Sequence, residues 1–270
     1  MSKEVVIERG SRISLREGRF EDVLRDISGG SIDLVFTSPP FNLGGFCRRR
    51  DHNPPGARSY TWDSGGYTDD LPEEEYVESQ RAALLWMRDI IRPSGNIAYH
   101  HQDRFRNGNT RSPMEIILPL ITSGEARLKQ TFILDFESTH RHGVDRFPQV
   151  HQYLYNITRC DLSPTRIYLN KERIPWNGDY PSSVWRGVPR QKGDKHCAPF
   201  HLDLARYVVR CFSPPGGTVC DPYSGSGTTA LACLIEGRNF IGSEMMPEYH
   251  DVAVKRVSEF EIPLVESSGR

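Results

Sequence analysis

The stretch that most constrains this chain is Val219-Cys220-Asp221-Pro222-Tyr223-Ser224-Gly225-Ser226-Gly227-Thr228-Thr229. An apolar run meets a proline, which cannot extend a sheet ladder, and two glycines able to take positive φ lead into the apolar segment 230–235. That order reads as strand, tight turn and helix, with Thr228 or Thr229 as the helix cap. Such a turn is a plain structural link, a phosphate site on the helix N-terminus, or a place where a nucleoside cofactor lies against bare backbone. No lysine follows the glycines, which removes the P-loop reading. The next apolar run, Asn239-Phe240-Ile241-Gly242-Ser243, ends in Glu244. A carboxylate there can accept both hydroxyls of a ribose, so a nucleoside is favoured over a bare phosphate.

The rest of the chain alternates strands and helices. Short strands are expected around Val5-Val6-Ile7 and Ile13-Ser14-Leu15, then a helix over 20–27 closed by Gly29-Gly30, and a buried strand over 32–37. Leu71-Pro72 opens a helix whose Tyr76, Leu84, Leu85, Met87 and Ile91 suit one packed face, ended by Arg92-Pro93-Ser94-Gly95. A strand over 96–100, a helix over 112–121 and strands over 131–137 and 151–158 follow, then helices over 202–212 and 248–258. Helices between strands imply a mostly parallel α/β sheet covered on both faces. The strands over 131–137 and 151–158, joined by a loop without a helix, should pair antiparallel. Residues 160–195 read as an irregular insert.

At 270 residues with 37% hydrophobic and 26% charged, the chain can bury one sizeable core and is neither disordered nor fibrous. The cysteines Cys47, Cys160, Cys197, Cys211, Cys220 and Cys233 form no C-x-x-C pair, so reduced thiols and no metal site are expected. No signal-peptide pattern or membrane-length apolar run is visible, which places the protein in the cytoplasm as an expectation.

The net charge of −1 excludes a uniformly basic nucleic-acid binder, so the distribution of charge matters more than its sum. Asp69, Asp70, Glu73, Glu74, Glu75 and Glu78 form an acidic run, while Arg166, Lys171, Arg173, Arg186, Arg190, Lys192 and Lys195 outnumber Glu172, Asp179 and Asp194. Either these are solvated faces, or the basic one suits a polyanion. The loop over 43–66 carries Arg48-Arg49-Arg50 with Tyr60 and Trp62, a mixture that suits a nucleic acid as well as a plain surface excursion.

A second constellation, Thr37-Ser38-Pro39-Pro40-Phe41, begins at the last residue of the buried strand over 32–37. Two prolines fix the backbone and leave its carbonyls as preorganised acceptors, and an aromatic stands ready to stack. Acceptors for an amine beside a stacking ring describe a pocket for the exocyclic amino group of a nucleobase. A strand terminator followed by a core Phe is the bland alternative.

Together these stretches resemble the β class of amino-group DNA methyltransferases that use S-adenosyl-L-methionine. Ser38-Pro39-Pro40-Phe41 is similar to the family's D/N/S-P-P-Y/F/W motif, and Asp221 to Thr229 to its D-P-F-x-G-S-G-T-T loop. Lys195-His196-Cys197-Ala198-Pro199-Phe200-His201 resembles its K-H-P-A-P-F-P stretch, Val184-Trp185 its V-W, and Ile241-Gly242-Ser243-Glu244 its acidic strand end. The catalytic motif precedes the cofactor motif, the order of the β class. That order argues against protein-glutamine methyltransferases, and the absence of a Pro-Cys nucleophile argues against C5-cytosine methyltransferases.

The resemblance implies one Rossmann-like methyltransferase domain over 1–270 with a seven-stranded sheet. Its catalytic half spans about 30–160, a short target-recognition insert about 160–195, and its cofactor half about 195–258. It implies Ser38, Pro39, Pro40 and Phe41 as catalytic residues. S-adenosyl-L-methionine would be bound by Asp221, Pro222, Tyr223, Gly225, Ser226, Gly227, Thr228, Thr229 and Glu244, with Phe200, Trp185 and His196. Arg48, Arg49, Arg50, Arg186, Arg190 and Lys192 would meet double-stranded DNA, and no metal is implied. A base flipped from the duplex would receive the methyl group, N4 of cytosine ahead of N6 of adenine because a serine precedes the prolines. An RNA methyltransferase and a non-catalytic nucleic-acid-binding module are the other readings, and a second copy of the chain and a cognate restriction enzyme are further partners open to it. The family's Gly-Asp after the first strand is here Gly18-Arg19, with Asp22 the nearest carboxylate.

Overall fold

The computed structural model describes residues 3–43, 69–136, 149–160, 167–168, 172–189 and 200–261. The chain opens with strands β1 (Glu4–Glu8) and β2 (Arg12–Glu17), which pair antiparallel, and one turn of helix, α1 (Phe20–Val23). Strand β3 (Ile32–Thr37) is buried at every position, as a central strand covered on both faces must be. Helix α2 (Glu73–Ile90) leads into β4 (Ile91–His101), a small hairpin of β5 (Arg104–Arg106) and β6 (Asn109–Arg111), and α3 (Met114–Thr122). Strands β7 (Arg127–Asp135), β8 (His151–Thr158) and the two-residue β9 (Val184–Trp185) follow. The chain then forms α4 (Leu202–Phe212), β10 (Thr218–Asp221), α5 (Thr228–Glu236), β11 (Asn239–Glu244) and α6 (Pro247–Glu259).

The main sheet has nine strands in the order β1-β2-β11-β10-β3-β4-β8-β7-β9. From β2 to β4 all pairings are parallel, and β8 runs antiparallel to both β4 and β7. Alternation along β3 and β4 splits the core in two. Leu34, Phe36 and Ala98 pack with Leu204 and Val208 of α4 and Leu231 of α5, whereas Val35, Ile97 and Tyr99 pack with Leu84 and Met87 of α2 and Ile117 of α3. From β10 the chain crosses through α5 to β11 on one side, and from β3 it crosses through α2 to β4 on the other. The carboxyl ends of β10 and β3 therefore flank the topological switch point, where an open α/β sheet leaves its ligand crevice.

The expected strands over 32–37 and 151–158 and the helix over 202–212 form with those bounds. Other expectations need correction. The sheet has nine strands rather than seven, because β1 and β9 extend its two edges. The helix expected over 20–27 leaves the helical path at Leu24 and continues as a turn closed by Ile27 N–H on the Leu24 carbonyl at 3.1 Å. Strand β7 starts at Arg127, ahead of residue 131, through a bulge between Leu128 and Gln130. The segment expected as a mere insert supplies Ile174, Trp185 and Val188 to the core, and β9 adds to the sheet parallel to β7. Neither Thr228 nor Thr229 caps α5: the N-cap is Gly227 at φ 79°, a left-handed conformation that glycine takes without strain.

Candidate functional site

The glycine turn is a backbone cradle stitched from behind. Ser224 N–H and Oγ both donate to the Ser243 carbonyl, at 2.9 and 3.0 Å, and Ser243 Oγ donates to the Pro222 carbonyl at 2.8 Å. Arg256 of α6 donates to the carbonyl and Oγ of Ser226 at 2.7 and 2.9 Å. A Cβ on Gly227 would lie 2.7 Å from that of Ala253, so glycine is required there for packing as well as for its φ. Ser226, Thr228 and Thr229 are buried, which leaves Tyr223, Gly225 and the adjoining Glu244 as the partly open positions of the cradle.

Two carboxylates flank it. Asp221 is 1% exposed and accepts from Thr37 Oγ1 and Thr229 Oγ1, both at 2.7 Å, and from Tyr223 N–H at 3.1 Å. Burial still pushes its carboxyl up to about 6 against these donors. Glu244 accepts from Gly225 N–H at 2.9 Å on one oxygen and from Met246 N–H at 2.8 Å on the other. Burial raises it to about 7. Fixed by one bond to each oxygen, its remaining lone pairs can receive a vicinal diol.

The second half of the site is the end of β3. Ser38 Oγ lies 3.0 Å from His100 Nδ1, and the Pro40 carbonyl accepts from Tyr76 Oη at 2.8 Å. Since that hydroxyl proton goes to Pro40, the 2.7 Å contact between Tyr76 Oη and His101 Nε2 is donated by the imidazole, and Gln102 N–H donates to His101 Nδ1 at 2.8 Å. Both histidines are neutral, because burial lowers His100 to about 4 and His101 to about 3. Phe41 lies 4.7 Å from the His101 ring and 5.8 Å from His100.

The loop is then locked by Asn42, buried at φ 57°, whose backbone N–H donates to Asp69 Oδ1 at 2.6 Å and whose Oδ1 accepts from Leu71 N–H at 2.7 Å. Glu73 pairs with the buried Arg104, which lies over the Tyr76 ring at 4.6 Å, and Asp70 pairs with Arg106 at 2.7 Å. Part of the acidic run is therefore the counter-charge of the β5–β6 hairpin rather than a solvated face.

The structure thus brings Ser38, Pro39, Pro40 and Phe41 to the same end of the sheet as Asp221, Pro222, Tyr223, Gly225 and Glu244. Phe200 joins them by packing on Phe36 at 4.9 Å and on His100 at 6.2 Å. Trp185 does not: it is 2% exposed, packs against Phe132 and Tyr207, and sits on the edge strand β9, far along the sheet from β10. Its expected cofactor contact is replaced by a core role, with the indole N–H donating to the Ser182 carbonyl at 2.9 Å. Arg186 is exposed beside β9. Arg48, Arg49, Arg50, Arg190, Lys192 and His196 lie outside the described residues. At the other end of the cradle Gly18 N–H donates to the Glu244 carbonyl at 2.9 Å, Arg19 pairs with Glu21 at 3.3 Å, and Asp22 is exposed. Phe20, next to Gly18-Arg19, lies 5.4 Å from Tyr223 and 5.0 Å from Trp86, an aromatic cluster beside the cradle.

Sequence reasoning gave no catalytic part to His100, and it placed Thr37 and Asn42 at the two ends of the motif without finding the partners that lock them. The usable signal for His100 was its place at the carboxyl end of the strand next to β3, where residues of an open α/β sheet reach a ligand.

A family model described as DNA methylase, covering N6- and N4-directed enzymes, matches residues 32–255. The type II methyltransferase M.BglII of Bacillus subtilis is 25% identical over 259 residues, 88% of this chain and 66% of that protein. The structure of the PvuII DNA methyltransferase, described as cytosine-N4-specific, superposes with a TM-score of 0.69 at 19% identity, covering 91% of this chain and 86% of that one. The M1.HpyAVI–SAM complex gives 0.57 at 18% identity, covering 90% and 99%. The last two likenesses concern the fold. With the family match spanning both the Ser38 motif and the glycine cradle, the chain belongs to the N6/N4 DNA methylase family.

Proposed function

We propose that the protein transfers a methyl group from S-adenosyl-L-methionine to the exocyclic amino group of a base flipped out of double-stranded DNA, with N4 of cytosine the preferred acceptor. The observation that carries this reading is the state of the acceptors after β3. Tyr76 occupies the Pro40 carbonyl, which leaves Ser38 Oγ and the Pro39 carbonyl to take the hydrogens of an amino group. The serine favours cytosine, where the family more often pairs an Asp or Asn with adenine.

The cradle fits the cofactor. Glu244 would hold the ribose hydroxyls, the open backbone at Gly225 would lie under the adenosyl group, and the Phe20–Tyr223 wall offers an apolar surface to the adenine ring. Bound there, S-adenosyl-L-methionine supplies an electrophilic methyl group. The protein's part is alignment. Phe41 stacks on the extruded base, Ser38 and Pro39 turn the amino lone pair away from ring conjugation, and Phe200 and Phe36 keep water from the reacting end. No covalent enzyme intermediate is required. Flipping costs a few kcal/mol in stacking and pairing, which the stacking and phosphate contacts offset. The DNA phosphates would be met by the exposed Arg186 and by Arg48, Arg49, Arg50, Arg190 and Lys192.

The test is transfer of labelled methyl from S-adenosyl-L-methionine to duplex DNA, single-stranded DNA and RNA of mixed sequence. Label in the duplex is expected. Label confined to RNA would replace the substrate, and cofactor binding without label anywhere would favour a non-catalytic module.

A further inference from the structure

We infer that His100 is a positioning residue that acts through Ser38: it takes the Ser38 hydroxyl hydrogen, aims the oxygen lone pairs at the target amino group, and receives the proton that this group loses after methyl transfer. The inference rests on the methyl-transfer reading above.

Four observations meet at this ring. The register pairs Thr37 with Tyr99, so the next residues along, Ser38 and His100, stand side by side at the carboxyl end of the parallel pair β3 and β4. Ser38 Oγ and His100 Nδ1 are 3.0 Å apart, while Ser38 itself remains partly open to the crevice. The imidazole is 4% exposed and held edge-on by Phe41, at 71° between planes, and by Phe200, at 88°, which fixes the direction of Nδ1. The distal nitrogen, Nε2, has no hydrogen-bond partner among the described residues. Its polar neighbour on β8 is Gln152, which favours the charged ring and whose Nε2 donates to Gln102 Oε1 at 2.7 Å, leaving its own carbonyl oxygen as an acceptor.

A neutral imidazole has one acceptor nitrogen and one N–H. With Nδ1 accepting from Ser38, the N–H lies on Nε2. Donation to Nδ1 polarises the Ser38 hydroxyl and makes its oxygen a better acceptor for the amino hydrogens, as linked hydrogen bonds do in a low-dielectric site. A serine is a weaker acceptor than the aspartate or asparagine found elsewhere in the family, and His100 offsets that weakness.

The amino nitrogen forms a bond to the methyl carbon while the carbon–sulfur bond breaks and its electron pair stays on sulfur. The methylated nitrogen is then cationic and loses a proton to Ser38 Oγ as the Ser38 hydroxyl proton passes to His100 Nδ1. The imidazolium so formed is a far weaker acid than the N-methylated cation, so transfer runs downhill. It returns its proton to solvent when the product leaves.

The test uses single-turnover methylation with His100→Phe, His100→Asn, Ser38→Ala and the Ser38→Ala/His100→Phe double variant, beside calorimetric cofactor binding. His100→Phe is expected to slow the chemical step about 100-fold, the lower range for a lost proton-transfer partner, with cofactor and DNA affinities unchanged. His100→Asn keeps an oxygen acceptor close to the Nδ1 position and should recover part of the rate. In the Ser38→Ala background His100→Phe should cost nothing more. An unchanged single-turnover rate in both His100 variants, or a loss that multiplies in full with that of Ser38→Ala, would overturn the inference while leaving methyl transfer standing. Wild-type protein that methylates no amino group in DNA would remove the underlying reading and this inference with it.

Discussion

Thr37 Oγ1 donates to Asp221 Oδ1 across 2.7 Å, joining the last residue of β3 to the last residue of β10. The residue after Thr37 begins the Ser38 motif and the residue after Asp221 begins the glycine cradle, so one buried hydrogen bond sets the spacing between the amino-group acceptors and the cofactor turn. Thr37→Val should therefore do two things. Asp221 Oδ1 then keeps only Tyr223 N–H, and losing its second donor in a buried site costs about 1–3 kcal/mol, read from denaturant unfolding, while turnover should fall more than cofactor affinity does. An unchanged turnover would show that the bond serves stability alone.

Asp221 also gives a pH signature. Its folded carboxyl is raised to about 6 from an ordinary 3.8. The folded state thus holds this proton more tightly than the unfolded chain, and stability from this group is lost as pH rises from about 4 through 6. Asp221→Asn removes the titration, so the difference in melting temperature between wild type and variant should shift in the variant's favour over that window. A difference independent of pH would contradict the burial argument.

Glu244 should make cofactor binding pH-dependent. Its carboxyl is raised to about 7, and the ionised form is the better acceptor for ribose hydroxyls. Affinity for S-adenosyl-L-methionine, followed by calorimetry, should weaken as pH falls from 8 to 6 and level off above 8. Glu244→Gln should bind weakly at every pH with a flat profile.

Gly227→Ala should be disruptive out of proportion to its size. The position has φ 79° and its Cβ would meet that of Ala253 at 2.7 Å. A loss of about 1–3 kcal/mol from backbone strain, with reduced cofactor affinity, is expected on thermal and binding measurements. Gly216→Ala, also at positive φ but with nothing within 4 Å, separates strain from crowding.

How far the chain could be read beforehand follows from the kind of signal each part carries. The strand-turn-helix at Asp221 and the run into Ser38-Pro39-Pro40-Phe41 are local, written in proline and glycine, and both lie where expected. Long-range partners are not local. Nothing in the sequence pairs Thr37 with Asp221 or His100 with Ser38, which strand order and register bring together, or Tyr76 with Pro40, which the packing of α2 against the loop after β3 brings together. Trp185 misled for the same reason, since motif likeness carried a role to a residue that the β9 edge strand holds inside the core. Thr228 and Thr229 looked like helix caps by residue type, yet Gly227 takes the cap position, which leaves both inside the first turn, where Thr229 Oγ1 donates to the buried Asp221.

The most direct measurement is nucleoside mass spectrometry of duplex DNA after incubation with S-adenosyl-L-methionine and either wild-type protein or Pro39→Ala. The predicted result is N4-methylcytosine with wild type and none with Pro39→Ala, while both bind the cofactor alike. N6-methyladenine would keep the reaction and correct the base. Equal methylation by Pro39→Ala would contradict the assignment of the pocket after β3 as the place where the amino group is held.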